Sequence, residues 1–244
     1  MKRAVLLACA FGAAALGLSV AQQGEAASRA PAKTAHAQDW TRVVRPTPAG
    51  GFVMGNPNAK VKLVEFGSMT CPHCRAFDAE GVPHVLDYVK SGQLSWEFRN
   101  YVRDAFDVSA ALITRCNGAG SFFPLTRAVF DKQADWEAKV RNTPEDQLKA
   151  IQNLPMNRQF LALARLAGLQ QLASAKGLPA SKSTKCLTDE AAVNRLAEMD
   201  NQATKQFPDF AGTPTFLING KMVEKTATWD ALEPQLKAAL GIHG

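Results

Sequence analysis

The spacing of apolar positions changes twice along the chain, and those changes divide it. Val61 to Phe66 is apolar on both faces, as in a strand covered from both sides. Leu94, Trp96 and Phe98 alternate with polar residues and mark a second strand. Pro72 to Val89, between them, carries a helical pattern interrupted at Gly81 and Pro83, which predicts a kink there. From about Val102 to Phe207 the spacing is three and four throughout. Helices are predicted near Val108 to Cys116, Leu125 to Val140, Glu145 to Leu154, Arg158 to Lys176 and Glu190 to Lys205. Strand signals then return. Thr215 to Ile218, Asn219-Gly220 and Lys221 to Lys225 spell a hairpin, and Trp229 to Leu240 closes as an amphipathic helix stopped by Gly241. A lone hairpin is only marginally stable, so the strands before and after the helical block are expected to share one sheet.

The beginning of the chain reads differently. Lys2 and Arg3 precede an uncharged, Ala-rich run from Ala4 to Val20, and Ser19-Val20-Ala21 supplies a small-x-small cleavage pattern, so residues 1–21 are expected to be a Sec-type signal peptide. An uncleaved anchor is the competing reading, but the run is short and rich in Ala and Gly. Leu6-Leu7-Ala8-Cys9 looks like a lipoprotein box, but Cys9 lies inside the apolar run with too few apolar residues before it. Residues 22–40 are Ala, Gln and Ser with few large apolar groups, a flexible leader. Thr41 to Val44 is read as a short strand, followed by a turn-rich stretch punctuated by Pro46, Pro48, Gly50, Gly51, Gly55 and Pro57.

With 244 residues, 46% of them hydrophobic, the chain can bury a full core. Its formal net charge of +6 is scattered, with no Lys/Arg run longer than two, so nucleic acid is not expected as a partner. Cysteine changes the picture more. Removing Cys9 leaves Cys71, Cys74, Cys116 and Cys186, an even count suited to an oxidising compartment, and the periplasm is the expected location. Cys71 and Cys74 are close enough to pair locally, which leaves Cys116 with Cys186 as a structural bridge; two buried unpaired thiols are the alternative.

The chemistry concentrates in Cys71-Pro72-His73-Cys74, between a buried strand and a helix. Cys71 at the helix start would face unsatisfied N–H groups and the positive end of the helix dipole, which favour its thiolate. His73 could add a charge or a hydrogen bond, and Cys74, inside the helix, is the natural resolving thiol. Covalent haem attachment needs His after the second cysteine, where Arg75 stands. Zinc needs a second close pair, and Cys116 and Cys186 stand apart. Neither a metal nor a cofactor is therefore expected. A merely structural local disulfide stays open at this point. His36 and His243 lie near the ends, and His84 reads as a surface or satisfied helix residue.

Val64-Glu65-Phe66 leading into Cys71-Pro72-His73-Cys74, together with Gly212-Thr213-Pro214-Thr215-Phe216 before the last hairpin, resembles the DsbA-like branch of the thioredoxin superfamily, exported thiol-disulfide oxidoreductases. The resemblance runs from about Phe52 to Leu240. It implies an α/β thioredoxin fold with a central mixed sheet, its first part at 41–102 and its second at 208–244, interrupted by an all-helical domain at 103–207. It also implies that Pro214 is a cis-proline beside the active-site sulfurs, that Thr213 tunes redox behaviour and substrate release, and that Glu65 is a buried acid serving Cys74. Glu65 has a case of its own. It shares a strand face with Val61 and Leu63, where a carboxylate needs a reason; a glutamate at an edge turned to solvent is the alternative.

The implied activity is the introduction of disulfides into exported proteins. Stabilising the reduced form makes a disulfide a better oxidant; DsbA is the standard illustration of this, and a thiol held near pKa 4 gains roughly 4 kcal/mol at pH 7, or on the order of 90 mV. Thr213 stands where the best-studied oxidant members of the family commonly carry valine, and threonine there is common in isomerase-type relatives, so isomerase or reductase action stays open. A non-catalytic exported binding or chaperone module with a disulfide clip is the reading from another class. The implied partners are reduced or misoxidised exported proteins and a membrane redox partner that reoxidises or reduces the site.

Overall fold

The computed structural model describes Gln38 to Ile242. The expected signal peptide, most of the leader, Cys9, His36 and His243 lie outside those residues. Six strands form one mixed sheet: β1 (Val44–Pro46), β2 (Phe52–Gly55), β3 (Val61–Gly67), β4 (Leu94–Asn100), β5 (Thr215–Ile218) and β6 (Lys221–Val223), in the order β1-β2-β4-β3-β5-β6. β3 and β4 run parallel, joined by α1 (Pro72–Glu80) and α2 (Val82–Lys90); every other pairing is antiparallel. The hairpin after the helical block returns to this sheet, with β5 pairing along β3 so that Glu65 lies opposite Phe216.

Several local readings are corrected. Thr41–Val44 is not a strand: Asp39 accepts the Thr41 N–H at 3.1 Å and caps a 3-10 turn at Trp40–Arg42, so β1 starts only at Val44. The stretch read as turns contains β2, all four of whose residues are buried. Flanking Pro and Gly masked its short apolar core. The Pro72–Val89 pattern is two helices rather than one bent helix, parted at Gly81, where a Cβ would stand 2.6 Å from the Phe77 ring. Helix α9 (Ala180–Leu187) went unread because only Ser183 and Leu187 are buried on it.

The helical block comprises α3 (Ala105–Arg115), α4 (Ala119–Asp131), α5 (Gln133–Arg141), α6 (Glu145–Gln152), α7 (Met156–Ala167), α8 (Leu169–Ala175), α9 and α10 (Glu190–Gln206). The predicted Leu125–Val140 helix divides at Lys132, and the Arg158–Lys176 helix at Gly168, whose φ of +77° is left-handed and favours glycine. Sheet and block share one core. Phe52 of β2 stacks on Phe122 of α4 at 4.3 Å between centroids, and Trp96 of β4 meets Phe123 at 4.8 Å. The final helix, α11 (Trp229–Leu240), packs Leu232 and Leu236, both fully buried, into that core. No described helix is long and apolar enough to cross a membrane.

Candidate active site

β3 ends at Gly67, and four residues later Cys71 occupies the N-cap position of α1, with Pro72 at the first helical position, where its missing N–H costs nothing. Both thiols are free and buried, Cys71 3% exposed and Cys74 fully covered. Their proton affinities are driven apart. A hydrogen bond from the Cys74 thiol acts most strongly on Cys71; the Thr213 hydroxyl and the main-chain N–H groups of Cys74 and His73 add to it, and against the opposing effect of burial they bring the Cys71 thiol down to about 4. Burial pushes the Cys74 thiol well above its usual range, helped by its donation to Cys71 and by the nearby Glu65 carboxyl. One sulfur is built to be an anion and its neighbour to keep a proton.

His73 enters differently from the sequence reading. Its ring is exposed, and its main-chain N–H is the group that favours the Cys71 thiolate. The Thr213–Pro214 peptide is cis and brings the Thr213 carbonyl to 3.1 Å from Cys71 Sγ, where it accepts the S–H of the protonated form. The Thr213 hydroxyl is buried with no hydrogen-bond partner among the described residues, free to turn to the sulfur once that proton leaves. Beside them an open groove of about 420 Å³ is lined by Gly212, Thr213, Pro214, Met222, Val223 and Thr226.

Glu65 is 1% exposed in the middle of β3 and accepts a hydrogen bond from Trp96 Nε1 at 3.2 Å. Burial, then the neighbouring Asp78 charge, pushes its carboxyl well above the ordinary range. Room for it depends on Gly67, where a Cβ would stand 2.4 Å from the Phe98 ring and 3.2 Å from Glu65 Oε1. His84 stands exposed, stacked on Trp229 at 5.2 Å. Far from these groups in sequence, Cys116 and Cys186 are bonded at an S–S distance of 2.03 Å, tying the end of α3 to α9.

Three residues escaped the sequence reading. Asp78 follows Cys74 by one helical turn, and burial raises its carboxyl to about 6 despite Arg127 Nε at 3.7 Å. Its i+4 spacing from Cys74 on a mostly apolar face was a usable signal. It lines a cavity of about 760 Å³ on a side of α1 whose lining includes neither cysteine. Asp107 of α3 and Gln133 of α5, 0% and 1% exposed, bond to the loop before Cys71. No local pattern marks them. No cluster of three or more potential metal ligands occurs among the described residues.

The family model described as Thioredoxin matches residues 47–238. A protein-disulfide isomerase from Novosphingobium aromaticivorans has a similar crystal structure, with a TM-score of 0.72 and 36% identity over 77% of this chain and 96% of that one. Wolbachia pipientis alpha-DsbA1 shares the fold at a TM-score of 0.64 and 20% identity, over 81% and 94% of the two chains. A Rickettsia bellii protein named as a protein-disulfide oxidoreductase is 28% identical over 71% of this chain, which spans only 58% of that relative's length.

Proposed function

Because the chain belongs to the thioredoxin family, we propose that it is an exported thiol-disulfide oxidoreductase of the DsbA type that introduces disulfides into secreted proteins through Cys71 and Cys74. The single observation that carries this reading is the split between the two thiols, with Cys71 brought down to about 4 and Cys74 pushed up.

In the oxidised enzyme Cys71 and Cys74 are bonded. A client thiolate attacks Cys71 Sγ along the groove beside Pro214, forming a mixed disulfide and expelling the Cys74 sulfur. That sulfur leaves with the bonding electron pair and takes a proton. Glu65, which keeps its proton to higher pH than an ordinary glutamate, would supply it. A second client thiolate then attacks the client sulfur of the mixed disulfide, and Cys71 departs as the stable thiolate that makes it a good leaving group. The client is oxidised by two electrons and the enzyme reduced by two. Sulfur carries both electrons, so no cofactor is required. A membrane redox partner would restore the Cys71–Cys74 bond, and export by the residue 1–21 signal peptide would put the protein in the periplasm.

Isomerase action is the second reading, favoured by the similarity to a protein-disulfide isomerase and by threonine before the cis-proline. Two refolding assays separate the readings. An oxidase restores activity to reduced ribonuclease faster than to scrambled ribonuclease, whereas an isomerase does the reverse. Failure in both would leave a reductase or a non-catalytic exported module.

A further inference from the structure

Residues 68–71 carry no regular hydrogen-bond ladder, yet they set where Cys71 Sγ stands. One main-chain bond closes the turn from within, Cys71 N–H to the Ser68 carbonyl at 3.2 Å. Most of the remaining restraint comes from the helical block. Asp107 of α3 accepts from the Met69 N–H at 2.8 Å, from the Ser68 hydroxyl at 2.5 Å and from the Arg103 N–H at 3.0 Å. Gln133, the first residue of α5, donates through one nitrogen to two carbonyls, that of Met69 at 2.7 Å and that of Cys71 at 3.1 Å. Both neighbours are oxygen acceptors, so only the NH₂ side of the amide can face them. The Cys71 carbonyl so held is also the one that accepts the Arg75 N–H and opens α1.

A buried glutamine amide that bridges the carbonyl of the attacked cysteine and the carbonyl two residues before it does more than fill space. The Cys71 thiolate depends on the N–H groups of His73 and Cys74, the Cys74 thiol and the Thr213 hydroxyl all meeting one sulfur. Hydrogen bonds weaken steeply with misdirection, so that meeting point survives only while the Cys71 main chain is fixed. Gln133 holds it directly, and Asp107, from another helix, anchors Ser68 and Met69 just before it.

We infer that Gln133 and Asp107 are positioning residues for the redox centre, through which the helical block between β4 and β5 holds the Cys71 sulfur in its thiolate-stabilising pocket. The inference rests on the reading of Cys71 as the attacked sulfur. It makes the helical block part of the redox site.

The test measures the pH midpoint of Cys71 alkylation by iodoacetamide in the full reduced protein, the glutathione equilibrium constant of the Cys71–Cys74 pair, and thermal stability. Gln133→Met keeps the length of the side chain and removes both donated bonds. Gln133→Glu keeps the shape and replaces the donors with a carboxyl, and Asp107→Asn alters the other anchor in an isosteric way. Loss of one to two hydrogen bonds' worth of restraint predicts a Cys71 midpoint raised by about one pH unit in Gln133→Met, with the glutathione constant shifted about tenfold toward the disulfide form. Gln133→Glu moves both further in the same direction, and Asp107→Asn moves both less. If the variants that fold lose thermal stability while midpoint and constant stay at the wild-type values, the two residues are ordinary packing and the inference fails. A midpoint that falls also overturns it. Cys71→Ser, run beside them for client oxidation, separates this failure from failure of the functional reading, because only the latter leaves oxidation intact in that variant.

Discussion

The molecule contains two pairs of cysteines whose sulfurs meet opposite surroundings. Cys71 sits at a helix start among N–H donors and beside a second thiol, and its carbonyl contact with Thr213 serves only the protonated form. The Cys116 and Cys186 sulfurs instead lie 3.5 Å from the Lys182 carbonyl and 3.6 Å from the Cys116 carbonyl. Bonded sulfurs carry no proton to donate, so those contacts are not hydrogen bonds, and a thiolate released there would face carbonyl oxygens. Exposure does not explain the difference, because the Cys116–Cys186 pair is the more accessible of the two. What separates a reactive pair from a durable one is whether the surroundings welcome the anion that reduction creates.

The largest expected effect breaks the comparison at its reactive end. Cys71→Ser should lower oxidation of a reduced model peptide by at least about a thousandfold, while unfolding in urea stays near wild type. Replacing both Cys116 and Cys186 with alanine should do the converse. That bridge spans 70 residues of sequence, and the chain-entropy argument puts the loss of stability at up to about 4 kcal/mol, with peptide oxidation unchanged.

Asp78 sharpens the contrast through pH. Its carboxyl is raised from 3.8 to about 6, so the folded chain holds that proton more tightly than the unfolded chain. Its stabilising contribution is therefore complete below about pH 4 and is lost as the pH rises through about 6. Asp78→Asn should leave stability at pH 4 unchanged and raise it at pH 7 by on the order of 2–3 kcal/mol, read from denaturation curves at the two pH values. The smallest effect belongs to Thr213→Val, which removes a hydroxyl but keeps the shape. The alkylation midpoint of Cys71 should rise by less than about one pH unit, the worth of a single hydrogen bond.

Much of this was legible in advance where local pattern and tertiary role coincide. The buried run of β3, the alternation of β4, the Asn219-Gly220 hairpin and the Trp229–Leu240 helix are each written in a few neighbouring residues. β2 was not legible, since three apolar residues, Phe52 to Met54, carry too little pattern to outweigh the turn formers around them. Nor was the break at Lys132, whose causes lie in packing. At the site, Cys71, Cys74 and Glu65 stand out as chemistry in unusual company. Gln133 and Asp107 do not, because the loop they hold lies more than thirty residues away in sequence and any helix carries such side chains.

The most direct measurement is the pH dependence of iodoacetamide alkylation in the fully reduced protein, mapped to each cysteine by mass spectrometry. The account predicts a Cys71 midpoint at about pH 4 and a Cys74 that stays unreactive well beyond neutrality. A Cys71 midpoint above about pH 8, the range of a free thiol, would contradict it.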